Sequence, residues 1–142
     1  MPRSAFAAAL AAIALASASS GCGEDEPTPE EAVRAKLGEL AQAIRGQQWS
    51  TLCDSVLDPS LVEDLKQTGL PCEPTMERSL GDVRGVELTI GRIRVEGAEA
   101  SAEVRTTAEG QQPSRDIVQL VRGRDGWRVS ELETTSPPPP SP

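Results

Sequence analysis

Histidine and tyrosine are missing from this 142-residue sequence, and phenylalanine occurs once. Without histidine there is no Ser/His/Asp or Cys/His arrangement, no imidazole metal ligand and no side chain that ordinarily titrates near neutrality. No catalytic residue, metal or cofactor is expected on that inventory. Positive charge is scarce as well, with 14 basic residues against 22 acidic ones and a net charge of -8. A polyanion needs a basic patch and stacking aromatics, so nucleic acid is not an expected partner. Long apolar runs are also lacking. The run from Phe6 to Ala16 has 11 residues and spans roughly 16 Å as a helix, about half of a bilayer core.

That short run follows Met1-Pro2-Arg3 and leads through small residues to Gly21-Cys22, which reads as a secretory signal over residues 1–21 and not as a membrane span. Ser19-Ser20-Gly21-Cys22 resembles the lipobox of bacterial lipoproteins, with Cys22 the lipidation site and new amino terminus. Ser19 stands where an aliphatic residue is usual, and Ala16-Ser17-Ala18 offers an ordinary cleavage site as the alternative. The cysteine count favours lipidation: with Cys22 acylated, Cys53 and Cys72 are left to pair as a disulfide. The expected location is extracytoplasmic, with the membrane as a partner through the lipid anchor. Residues 22–27 form an acidic tether, residues 28–133 a single folded domain, and residues 134–142, with Pro137 to Pro140, an extended tail without a core.

Within the domain the apolar period changes once. Thr28-Pro29-Glu30-Glu31 predicts a helix start with a capping box, and Val33, Leu37, Leu40, Ala41 and Ile44 fall on one helical face before Gly46. A shorter helix capped by Ser50 carries Leu52, Cys53, Val56 and Leu57. Another begins at Asp58-Pro59 and buries Leu61, Val62 and Leu65, and Pro74 to Leu80 forms one further short turn. After Gly81 the period becomes 2, predicting strands at 86–95, 98–107, 115–122 and 127–132. A turn at Glu96-Gly97 sets Ile93 against Ala100 and Val95 against Ala98. Val86, Leu88 and Ile90 then lie on the wrong parity unless one extra residue sits at Gly91-Arg92, which predicts a bulge there, with Ile90 opposite Ala102 and Leu88 opposite Val104. A three-residue loop, Arg124-Asp125-Gly126, brings Val121 opposite Val129 and Val118 opposite Leu132. The fold class is α+β, with N-terminal helices packed against a curved four-stranded antiparallel sheet.

A helix ending near Gly46-Gln47-Gln48-Trp49, the Cys53 and Cys72 pair, and a closing strand that starts Gly126-Trp127 give this layout a resemblance to the cone-shaped nuclear transport factor two-like superfamily, and within it to small secreted bacterial lipoproteins. The resemblance implies a sheet curled around a helix with an open-ended apolar cavity. Enzymes of that superfamily, ketosteroid isomerase among them, move protons with a carboxylate base and hydroxyl or acid donors. This chain has no Tyr or His to serve as donors, and its inward strand positions are read as Ala98, Ala100, Ala102, Val104, Val121 and Val129. Glu103, Asp116 and Glu131 are read at mixed or outward positions. Trp49, Trp127, Ala100, Ala102, Val104 and Val129 are the candidates for cavity lining; for the tryptophans the other reading is structural, with Trp49 anchoring the helix junction and Trp127 capping the core. The expected function is an exported, lipid-anchored, non-catalytic domain that contacts a protein partner or an apolar small molecule at the cell envelope. The alternative is an isomerase- or dehydratase-like enzyme using a buried carboxylate.

Overall fold

A computed structural model describes residues 26–134, and the side chains of 26–132. The expectations on the signal, Cys22, most of the tether and the proline-rich tail lie outside the described residues. The first helix, α1 (Pro29–Arg45), starts as the sequence dictates: the Glu31 amide donates to Thr28 Oγ1 at 3.2 Å, and Glu31 Oε2 accepts from the Thr28 amide at 2.8 Å. Val33, Leu37, Ala41 and Ala43 are its buried residues. Its end differs in detail. Gly46 stays right-handed at φ -84°, and the left-handed residue is Gln47 at φ 53°. The amides of Gln47 and Gln48 reach back to the carbonyls of Ile44 and Ala43, a Schellman closure that places the strained position one residue beyond the glycine. Gln47 Nε2 also donates to the Gly81 carbonyl at 2.7 Å, which ties the residue down.

A short helix, α2 (Trp49–Thr51), runs directly into a π-helical stretch over Leu52–Val56. Gln48, not Ser50, precedes it, and it has no side-chain cap. The π register shows in the Leu57 amide donating to the Leu52 carbonyl at 2.9 Å, five residues back. Next come α3 (Pro59–Gln67), where Asp58 accepts from the Ser60 amide at 3.0 Å, and α4 (Cys72–Leu80). The last is a nine-residue helix beginning at Cys72, longer than the turn expected from Pro74.

Four strands follow, β1 (Glu87–Glu96), β2 (Glu99–Thr107), β3 (Ser114–Gly123) and β4 (Gly126–Thr134), joined as an antiparallel meander in the order β1-β2-β3-β4. The expected bulge is present. Ile90 pairs with Val104 and Ile93 with Ala102, so Gly91 and Arg92 together face Glu103. A Cβ on Gly91 would stand 3.3 Å from the Glu103 carbonyl oxygen, so this close approach suits glycine.

The pairing itself is shifted from expectation. Val95 lies opposite Ala100 and Leu88 opposite Thr106, because the turn is Gly97-Ala98 and not Glu96-Gly97. Gly97 holds φ 60°, the conformation that a two-residue hairpin demands of its first central residue when only that residue is left-handed. A slide of two residues preserves every face, so apolar parity fixes the bulge and leaves the register open.

The second hairpin also differs. Gly123 pairs with Gly126 across a two-residue turn, Leu120 with Val129, and Val121 with Arg128; the extra residue appears downstream as a bulge at Ser130, which restores the expected pairing of Val118 with Leu132. Leu120 therefore takes the inward position expected of Val121, which is half-buried on the other face, while Ala98 sits exposed in its turn. The core lies between α1 and the inward face of the sheet, where Leu37, Val118 and Leu120 are at most 1% exposed. The helical layer is stitched to β4 by the Asp58 amide donating to the Val129 carbonyl at 2.8 Å and by Arg128 Nη1 donating to the Asp54 carbonyl at 2.6 Å. Among the described residues no helix is long and apolar enough to cross a membrane.

Candidate functional site

A cavity of about 580 Å³ opens between the helical layer and the inward face of the sheet. Leu40, Ala41 and Ile44 on α1 form one wall, and Leu61 and Leu65 on α3 with Met76 and Leu80 on α4 form another. The sheet contributes Leu88, Val104, Val118 and Val129. These walls follow from the helix patterns: α3 buries no residue fully, so its apolar stripe stands over open space and not in a sealed core. The disulfide Cys53–Cys72, with an S–S distance of 2.02 Å, fastens the first residue of α4 to the π-helical segment. It thereby holds Met76 and Leu80 over the cavity, and Cys72 is the buried residue of α4.

The candidates for cavity lining divide. Val104 and Val129 line this space, whereas Trp49, Trp127, Ala100 and Ala102 do not. Trp127 is 4% exposed within the core, where Arg122 lies over its ring at 5.7 Å. Trp49 packs half-buried against the core beside the junction of α1 and α2. Ala100 and Ala102 are buried within the core cluster.

Asp116 corrects the reading of the acids. It shares the inward parity of Val118 and Leu120 on β3, is 8% exposed, and lines the cavity. It is the one buried polar or charged residue among those described. Its Oδ2 accepts a hydrogen bond from Ser114 Oγ at 2.7 Å. Glu103 is exposed on β2, and Glu131 is exposed on β4 at the cavity's edge beside Ser130 and Leu132. Thr106, Ser114, Asp116, Ser130 and Glu131 are thus the polar lining, with no lysine or arginine among the residues around the space. The arrangement can take up an apolar body and offer it a carboxylate and hydroxyls. Among the described residues no group of three or more His, Cys, Asp or Glu is placed to hold a metal ion.

No family model and no curated protein matches the chain. Solved structures do share its fold. An NTF2-like protein of unknown function from Shewanella baltica OS155 superposes with a TM-score of 0.56 over 79% of this chain and 100% of that one, at 15% identity. The Kfla4162 protein from Kribbella flavida superposes with a TM-score of 0.51 over 75% of this chain and 89% of that one, at 17% identity. The chain therefore has the NTF2-like fold that its layout resembles, four helices set against one antiparallel sheet.

Proposed function

We propose that this chain is an exported, lipid-anchored, non-catalytic domain that holds an apolar small molecule in its helix-covered cavity at the cell envelope. The observation that carries the reading is the cavity itself, about 580 Å³ with predominantly aliphatic walls, a size and lining suited to a small ligand. A filled core would have favoured a protein partner. Large exposed hydrophobics among the described residues number two, Leu70 and Leu132, which is little for the apolar centre of an interface. Export is supported by the signal-like segment before Cys22 and by the Cys53–Cys72 disulfide, a bond that persists in oxidising compartments.

Titration of the whole protein with the neutral dye Nile red should give saturable fluorescence at one site per chain, and Leu65→Trp, which fills the space from α3, should abolish it. Absence of saturation, or unchanged binding in Leu65→Trp, overturns the reading. Anchoring has its own measurement. Mass spectrometry of the amino terminus of protein taken from the cell envelope should find Cys22 acylated, whereas cleavage after Ala18 or a free thiol at Cys22 refutes the anchor.

Asp116 on the cavity wall favours a second reading, an isomerase- or dehydratase-like enzyme with Asp116 as base. The other polar groups on the lining are hydroxyls and Glu131, and the sequence holds neither the His nor the Tyr that most readily supplies a tuned proton donor. Turnover on such substrates that vanishes in Asp116→Asn would promote this reading over binding.

A further inference from the structure

We infer that the cavity selects apolar molecules carrying a protonated amine, with Asp116 as the counter-ion; this rests on the reading of the cavity as a small-molecule site. A carboxylate held away from water is unfavourable unless a cation or several donors compensate it. Among the described side chains Asp116 has one donor, the neutral Ser114 hydroxyl, which meets Oδ2. The ion pairs Lys36–Glu39, Lys66–Glu63 and Arg128–Asp125 do not reach Asp116. Among the described residues every sealed side-chain nitrogen or oxygen has a partner, and none of their side chains meets Oδ1, so this oxygen keeps some open surface; Asp116 borders both this cavity and a second opening that carries Arg105 and Arg115.

The lining adds sign to this vacancy in charge. Its ionisable members are Asp116 and Glu131, both acids, and no basic side chain borders the space. An ammonium group on an apolar tail would place its tail against Leu61, Leu65 and Met76 and donate from nitrogen to Oδ1. An ionic hydrogen bond of this kind is stronger than the neutral one an alcohol makes. A carboxylate ligand would meet like charge.

The test titrates the whole protein by calorimetry with n-octylamine, 1-octanol and octanoate, three tails of equal length with different heads. Octylamine is expected to bind about tenfold to a hundredfold more tightly than 1-octanol, and octanoate more weakly than either. In Asp116→Asn, which keeps the shape and removes the charge, amine and alcohol should converge to within about threefold. The amine preference of the natural protein should persist in about 0.5 M salt, where attraction to surface acids is screened. Ser114→Ala gives an independent check that leaves the carboxylate in place, and the amine preference must survive there even if Asp116→Asn does not fold. Equal binding of amine and alcohol to the natural protein, or an amine preference that survives Asp116→Asn, overturns the inference and leaves the cavity reading standing. Failure of all three ligands to bind overturns the cavity reading as well.

Discussion

Cys53→Ala is expected to lower the midpoint of thermal unfolding by about 12 to 24 °C. The disulfide joins residues 19 positions apart, and closing a loop of that length in the unfolded chain contributes roughly 3 kcal/mol on the chain-entropy model. Each kcal/mol moves the midpoint of a domain of this size by about 4 to 8 °C. The local structure adds to the loss. Cys72 is the buried residue of α4, the helix lacks a side-chain N-cap, and what remains to hold it is the partly buried Met76 and Leu80 and the Gln47 hydrogen bond to the Gly81 carbonyl at its end. Without the bond the first turn of α4 loses its anchor, and with it goes one wall of the cavity. Thermal melts of the natural protein with and without reductant, and of Cys53→Ala paired with Cys72→Ala, make the measurement. A drop below about 4 °C would show that helix packing alone holds α4. Loss of Nile red binding at temperatures where the rest of the domain remains folded is the accompanying expectation.

Much of the fold is legible in the residues because local rules and tertiary demands coincide there. Thr28 and Glu31 make a capping box whatever surrounds them, and the stripe from Val33 to Ala41 needs one apolar neighbour, which any sheet supplies. The Gly91-Arg92 bulge is legible because two apolar sets of opposite parity, Val86 to Ile90 and Ile93 to Val95, cannot share a face without an extra residue. The hairpin registers are less accessible. Shifting β1 against β2 by two residues keeps every side chain on its face, so only the turn decides, and the deciding feature is the left-handed φ of Gly97. In the second hairpin the extra residue satisfies the parity argument equally well in the loop or in the strand, and the structure uses Ser130.

The π-helical stretch has no sequence period of its own. Leu52, Cys53, Val56 and Leu57 suit an α-helix as well, and the slip follows from what lies across from it. Arg128 takes up the carbonyls of Asp54 and Leu57, and Leu57 bridges to Val129. Asp116 is the instructive case at the site. Ile117, Val118, Leu120 and Val121 are apolar on both parities, so β3 alone does not announce its inner face. Once Leu120 is paired with Val129 the parity is settled, and Asp116, four residues before Leu120, must point inward with it. The signal is the pairing of β4: a three-residue loop sets Val129 opposite Val121, and the two-residue turn sets it opposite Leu120.

Two leucines on the helical side separate a cavity from a packed core. Leu37→Ala is expected to destabilise the protein by about 2 to 5 kcal/mol, because a side chain with no exposed surface leaves a void that its close-packed neighbours cannot fill. Against a total stability of about 5 to 15 kcal/mol for a domain, that loss can leave a substantial unfolded fraction at 37 °C. Leu61→Ala should cost only about 1 kcal/mol. Leu61 is half-buried on α3 and already borders open space, so truncation widens an existing cavity and forfeits only part of one side chain's burial. Urea denaturation of both variants, read at equal slopes, gives the comparison. Equal costs would mean that α3 is packed shut over the sheet, and the binding reading would lose its foundation. Saturating 1-octanol sharpens the contrast, since a ligand that binds only the folded chain adds about 2.7 kcal/mol at a hundredfold excess over its Kd. That increment should appear in the natural protein and persist in Leu61→Ala, and it should disappear in Leu65→Trp, where the side chain occupies the ligand's place.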